Sequence, residues 1–218
     1  MTSPTSRRRQ RPRRPEHSDG LRRQRSDGAR SRRAILAGAT ALATVEGLEG
    51  LSIGRLAEHI GMSKSGLYAH FGSKEELQLA TIDEAQEIFE REVVHPTLDH
   101  PPGVEQLLAF CDAYLSHLER RVFPGGCFFA SVAAEVATHE GRVRDRLRDF
   151  MAGGLQWLAE QIHEAQARGE LDADADSGQL AFEIDSLLHG AHASFMLYGS
   201  EEPLERARRA IRARLGRP

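Results

Sequence analysis

An all-α fold of about nine helices is predicted by three observations. Apolar residues recur at helical spacing from Ala29 to Leu215, glycine and proline punctuate those stretches, and no alternating apolar–polar run is long enough for a strand. At 218 residues, 40% hydrophobic and 28% charged, the chain has the composition of a globular protein with room for a sizeable core. No apolar run approaches the roughly 18 residues of a membrane span, so no membrane partner is expected.

Residues 1–28 place Pro4, Pro12 and Pro15 among Ser and Arg, with almost no apolar residue besides Leu21. Such a segment buries too little to offset its ordering entropy and reads as a disordered arm. Helical period begins at Ala29: Ile35, Leu36, Ala39, Leu42 and Ala43 share one face, and Gly47 ends the run. Ser52 is an N-cap for a short helix with Ile53, Leu56, Ala57 and Ile60 on its apolar face, stopped by Gly61. Ser63 caps a third helix from Lys64 to about His70, before Gly72. Ser73 with Glu76 forms a capping box opening a fourth, whose stripe runs from Leu77 to Phe89 towards Pro96. Five more helices are predicted over Val104 to Arg121, Cys127 to His139, Val143 to Ala167, Gln179 to Tyr198 and Leu204 to Leu215.

Charge divides the chain unevenly. Residues 1–33 carry twelve Arg against three acids (Glu16, Asp19, Asp27), net +9, while the remainder carries 17 bases against 29 acids, net −12. One end suits a polyanion and the body does not. The N-terminus lacks an apolar stretch behind its arginines, so no secretory signal is expected and a cytoplasmic location follows. Two cysteines, Cys111 and Cys127, make no disulfide framework and no metal-cluster spacing.

Two short helices joined by a glycine turn, His59 to Ser63, make a helix-turn-helix whose second helix can present its first residues to the major groove. Ser52-Ile53, Leu56-Ala57, Gly61-Met62-Ser63, Leu67-Tyr68, His70-Phe71 and Ser73-Lys74-Glu75 with Leu77 follow at fixed spacing. On these residues the segment from Ile35 to Leu77 resembles the DNA-binding domain of the TetR family of bacterial transcriptional regulators.

The domains expected are the arm (1–28), a helix-turn-helix DNA-binding domain (29–76) and an effector-binding and dimerisation domain (77–218). Ser52, Ser63 and Lys64 sit at helix starts, where amides and an ammonium group favour phosphate or base acceptors; capping alone also accounts for Ser63. Ser65 and Gly66 are small enough for close approach to the groove, and Ser65 can bond a base edge. Tyr68 and His70 are amphipathic ends on an exposed helix, and the resemblance implies backbone contacts for Tyr68 and Lys74.

The resemblance also implies a small-molecule effector in the body, a homodimer built from the last two helices and a near-palindromic operator in double-stranded DNA. Phe89, Phe110, Tyr114, Phe128, Phe129, Phe150, Trp157, Phe195 and Met196 are large enough to line a ligand pocket, and of these Phe110, Tyr114, Phe128, Trp157 and Phe195 are the ligand contacts expected, with His117 and His192 as polar anchors; the same side chains also suit a plain core. Cys127 at a helix start is a candidate for a lowered thiol pKa, against the alternative of an inert buried cysteine. His189 and His192 lack further convergent ligands, so neither a metal nor another cofactor is expected. No catalytic constellation stands out. A monomeric helical domain using the motif as scaffold is the rival reading, and specific operator binding separates the two.

Overall fold

Nine α-helices and no strand are present among the residues that the computed structural model describes, which are the backbone of residues 17–217 and the side chains of residue 28 and residues 30–217. They are α1 (His17–Glu46), α2 (Ile53–Ile60), α3 (Lys64–Phe71), α4 (Lys74–Phe89), α5 (Val104–Glu119), α6 (Phe128–Val136), α7 (Arg142–Ala167), α8 (Ser177–Tyr198) and α9 (Glu202–Arg214).

In the unit formed by residues 1–34, the described chain is helical from His17. The expected arm is therefore corrected over residues 17–28, and residues 1–16 lie outside the described part. No proline follows Pro15 in this stretch, and Arg, Gln and Leu extend an established helix at little cost, so α1 runs upstream of the point where its apolar stripe begins.

The unit from Ile35 onward holds the core. Short helices are bounded by capping: Ser52, Ser63 and Ser73 each accept a hydrogen bond from the backbone N–H three residues on. Gly61 closes α2 in the left-handed region at φ 69°, with its N–H on Ala57 and Glu58 carbonyls. Helix α4 ends in a π-helical turn, Glu90–Val94, and a single 3₁₀ turn, His95–Thr97. Pro96 has no N–H to continue the α pattern, and the wider turn carries the chain past it.

Two contacts lock the α1–α2 region to the body. The Glu135 carboxylate on α6 accepts from the N–H groups of Leu48 and Glu49, both at 2.8 Å. Gly125 donates its N–H to Thr44 Oγ1 at 3.1 Å, and any Cβ there would fall 2.0 Å from the Thr44 carbonyl oxygen, so only glycine fits.

Helices α8 and α9 pack on each other, and α8 also packs on α7. Their faces Leu180, Ile184, Leu188 and Ala191, and Leu204, Ala207 and Ile211, are buried within this chain. The side of α8 left uncovered is a different one, carrying Phe182 and Leu197, 58% and 76% exposed.

Candidate nucleic-acid interface and cavity of the body

Helix α3 is fixed from behind and bare in front. Leu67 and Phe71 are buried, while Ser63, Lys64, Ser65, Tyr68 and Lys74 are exposed and Gly66 and His70 half-buried. Tyr68 presents 59% of its surface to solvent, unusual for so large an aromatic side chain. The start of the helix carries its unbonded amides, its partial positive charge and the Lys64 ammonium together. The stem of Lys64 lies along the first turn of α2 at Gly54, where an added Cβ would sit 3.4 Å from Cε and 3.5 Å from Nζ.

Two of the helix-start hydroxyls are engaged as caps: Ser52 Oγ accepts from Arg55 N at 3.2 Å and Ser63 Oγ from Gly66 N at 3.1 Å. Ser65 Oγ is 3.3 Å from Ser63 Oγ. Lys74 is tied inward, its Nζ donating to the Glu49 carbonyl at 2.7 Å and to Glu49 Oε2 at 2.9 Å. That ammonium holds the Glu49 carboxyl below the usual carboxylate range. Arg55 is likewise engaged by Glu46 and Glu58, and its bond to Glu46 depresses that carboxyl. The positive charge projecting at the start of α3 thus comes from Lys64 and the helix end itself.

A cavity of about 1010 Å³ lies among α4, the π-helical turn, α5, the start of α6, α7 and α8. Its wall is aromatic. Phe89, at the end of α4, meets Phe110, Tyr114, Phe129 and Phe150 edge-on at centroid distances of 6.4, 6.3, 5.9 and 5.7 Å. Phe129 stacks on Phe150 at 3.8 Å, and Trp157 tilts against Phe110 at 5.0 Å.

Of the seven residues expected to bind a ligand, Phe110, Tyr114 and Trp157 line this cavity. Phe128, His117, His192 and Phe195 do not, and helix geometry explains each case. Phe128 and Phe129 are adjacent, hence about 100° apart around α6: Phe129 faces the cavity and Phe128 is fully buried against Phe123. His117, one turn beyond Tyr114, packs on the far side of Phe89 against Phe123. His192 Nε2 donates to the Gly125 carbonyl at 3.2 Å, and Phe195 lies beneath the Arg121 guanidinium, 5.0 Å from its ring centroid. Phe89, Phe129 and Phe150, which the sequence also offers as large enough to line a cavity, complete the aromatic wall, and Cys127, Asp185 and His189 join it with no local signature except the i, i+4 spacing of the last pair.

Polar groups in and around the wall are unevenly satisfied. His189 Nδ1 is 3.3 Å from Asp185 Oδ1, which raises the His189 pKa. The Tyr114 hydroxyl is sealed from solvent with no hydrogen-bond partner, and both ring nitrogens of His117 are in the same state. Burial pushes His117 down to about 4 and lowers His192 as well. At Cys127 burial outweighs the amides of Phe129 and Ala130 at the start of α6, so its thiol pKa rises; the lowering expected from the helix start is corrected. Among the described residues no cluster of three His, Cys, Asp or Glu could hold a metal ion, and no helix is long and apolar enough to cross a membrane.

Residues 35–81 match the family model for bacterial regulatory proteins of the tetR family, and residues 103–211 match the tetracyclin repressor-like C-terminal domain. The HTH-type transcriptional repressor ComR of Escherichia coli (strain K12) is 27% identical over 149 residues, 68% of this chain and 71% of that one. A TetR transcriptional regulator from Chloroflexus aurantiacus J-10-fl superposes with a TM-score of 0.81 at 29% identity, covering 88% of this chain and 96% of the other. AibR, solved with isovaleryl coenzyme A and operator DNA, gives a TM-score of 0.69 at 25% identity, covering 84% and 96%.

Proposed function

The chain belongs to the TetR family of bacterial transcriptional regulators, a family of DNA-binding proteins rather than enzymes, and from that premise we propose that it is a homodimeric repressor released from a palindromic operator by a small molecule. The observation that carries the reading is the span of α4. It starts at Lys74, packed beside α3, and ends at Phe89 in the cavity wall. A ligand that moves Phe89 acts on the helix that supports α3, and the bond from Glu135 on α6 to Leu48 and Glu49 gives a second route.

On this reading the DNA contacts are Ser52, Ser63, Lys64, Ser65, Gly66, Tyr68, His70 and Lys74. Lys74 reaches a phosphate with the donor that Glu49 leaves over, and its exposed ion pair is weak enough to be redirected. That AibR was solved with both an acyl-CoA and operator DNA supports the pairing of a ligand site with a DNA site in this family.

The dimer is supported by the uncovered side of α8. Phe182, Ser186, Gly190, Ala193 and Leu197 are all exposed at spacings of four, four, three and four, and a Cβ on Gly190 would meet nothing. Small residues between two large apolar ones suit close packing against the same helix of a second copy, with α9 alongside. Such a two-fold sets the recognition helices about one DNA turn apart, ~34–36 Å.

The test is Gly190→Glu in the full chain, which has space within the protomer but places a charge in the proposed interface. Sedimentation should show a monomer, and anisotropy titration should show operator affinity reduced at least about tenfold. A variant that stays dimeric with unchanged operator affinity would overturn the dimer.

A further inference from the structure

The most basic stretch of the chain lies outside the helix-turn-helix. Twelve Arg and three acids give residues 1–33 a net charge of +9. The backbone is helical from His17 onward, and Arg30, Arg32 and Arg33 in this stretch are exposed. At about 100° per residue, the positions of Arg22, Arg23, Arg25, Arg30, Arg32 and Arg33 fall within one half of the helix circumference.

The recognition end alone does not attract a polyanion. Residues 34–76 hold three bases (Arg55, Lys64, Lys74) against five acids (Glu46, Glu49, Glu58, Glu75, Glu76), net −2. Two of those bases are engaged, Arg55 by Glu46 and Glu58 and Lys74 by Glu49, while Arg142 on α7 takes up Glu75 and Glu76. Residues 77–218 carry 14 bases against 24 acids, net −10. From Ala34 onward the net charge therefore opposes association with a duplex, which carries one negative charge per about 1.7 Å of its axis.

We infer that residues 1–33 are a second DNA-binding segment, whose guanidinium groups meet phosphates without regard to sequence and supply most of the salt-dependent affinity for duplex DNA. Arginine suits the task, being always charged and presenting a planar fork of donors to phosphate oxygens. Each phosphate neutralised releases counterions, so the slope of log affinity against log salt, about 0.9 per phosphate, measures how many such contacts form. Sequence choice stays with α3, and the electrostatic hold lies with the segment. The inference rests on the family's binding of DNA and not on the dimer, the operator or the effector.

The test compares the full-length protein with two full-length variants in which Arg7, Arg8, Arg9, Arg11, Arg13, Arg14, Arg22, Arg23 and Arg25 are all replaced, by Gln in one and by Lys in the other. Gln and Lys extend a helix about as well as Arg, and the core belongs to the unit from Ile35 onward, so circular dichroism and denaturation should show an unchanged fold. A labelled duplex of mixed sequence, about 40 base pairs long, is titrated by anisotropy at several salt concentrations. Near 0.1 M salt the Gln variant should bind at least about tenfold more weakly, with a slope shallower by about three or more, and the Lys variant should keep both affinity and slope. A Gln variant that behaves as the unaltered chain would overturn the inference. So would a Lys variant as weak as the Gln one, because the contact would then be a specific guanidinium site. Phosphatidylserine vesicles that displace the duplex from the unaltered chain at equal charge concentration would overturn DNA as the partner in favour of a membrane surface. In selection from genomic fragments the Gln variant should enrich the same site as the unaltered chain, and a changed site would overturn the segment's indifference to sequence. An unaltered chain that enriches no site, beside a Gln variant that loses affinity for the mixed duplex, would contradict the repressor reading and uphold the segment.

Discussion

The two working regions of this molecule are built in opposite ways. The recognition end, α2 to the start of α4, is a contiguous string whose functional side chains point outwards from a buried back formed by Leu56, Leu67, Phe71 and Leu77. The cavity is assembled from segments as distant as Phe89 and His189, and its side chains point inwards. A contiguous site is specified by local spacing and capping, whereas one assembled from distant helices is specified by how those helices rotate against each other. Exposed contacts can therefore be altered with little effect on folding, and cavity residues cannot be separated from the core by type alone.

The sharpest test of that division lies within the body. Phe128 is fully buried in the core, while its neighbour Phe129 faces the cavity. Phe128→Ala should cost about 3–5 kcal/mol in chemical denaturation, as large truncations in a packed core do. Trp157→Ala, on a half-buried ring beside existing empty space, should cost less than half as much. Equal losses would erase the distinction between core and wall.

The joint between the regions ranks next. Glu135→Ala removes a carboxylate from two backbone N–H groups, and hydrogen bonds to a charged group are the stronger kind. A loss of about 2–3 kcal/mol is expected, with α2 and α3 unfolding ahead of the body in hydrogen exchange. Undiminished protection of residues 53–71 would show that the two regions are held together by other contacts.

These expectations also mark what was legible in the sequence. Ser52, Gly61, Ser63 and Ser73 announce helix boundaries through local chemistry, and the structure places every one as a cap. The later helices likewise begin and end within a few residues of their punctuation. The cavity was half legible: Phe110, Tyr114 and Trp157 are in its wall, but nothing in the spacing of Phe128 and Phe129 says which ring turns inward. The engagement of Lys74 by Glu49, 25 residues away, is equally invisible without the fold. So is the start of α1 at His17, since propagation of a helix leaves no apolar stripe.

A pH dependence separates the body from the recognition end by a smaller amount. Burial holds His117 at about 4 in the folded chain, against an ordinary value of 6.5. Between those values the unfolded chain binds more protons, so stability falls as pH drops from 6.5 towards 4 and is fully present above that window. His189 acts oppositely, because its raised pKa gives stability that is lost as pH rises through it. The His117 contribution should be about 3 kcal/mol across the whole window. His117→Leu should flatten the stability profile between pH 4 and 6.5, and an unchanged slope would assign the acid sensitivity elsewhere.

The smallest effects on folding belong to the recognition end. Tyr68→Ala and Lys64→Ala should each leave stability within about 0.5 kcal/mol, since both side chains are exposed. Each should nevertheless weaken operator binding by about 1–2 kcal/mol, uniformly across sequences. A loss of stability matching the loss of affinity would make these residues structural.

The central claim is that the start of α3 reads DNA as one half of a symmetric pair. It is tested most directly by selecting genomic fragments with the full-length protein at fixed salt. The account predicts an enriched site of two inverted half-sites, centred about one helical turn apart or a multiple of it. Enrichment of no sequence, or of a single unrepeated half-site, would contradict it.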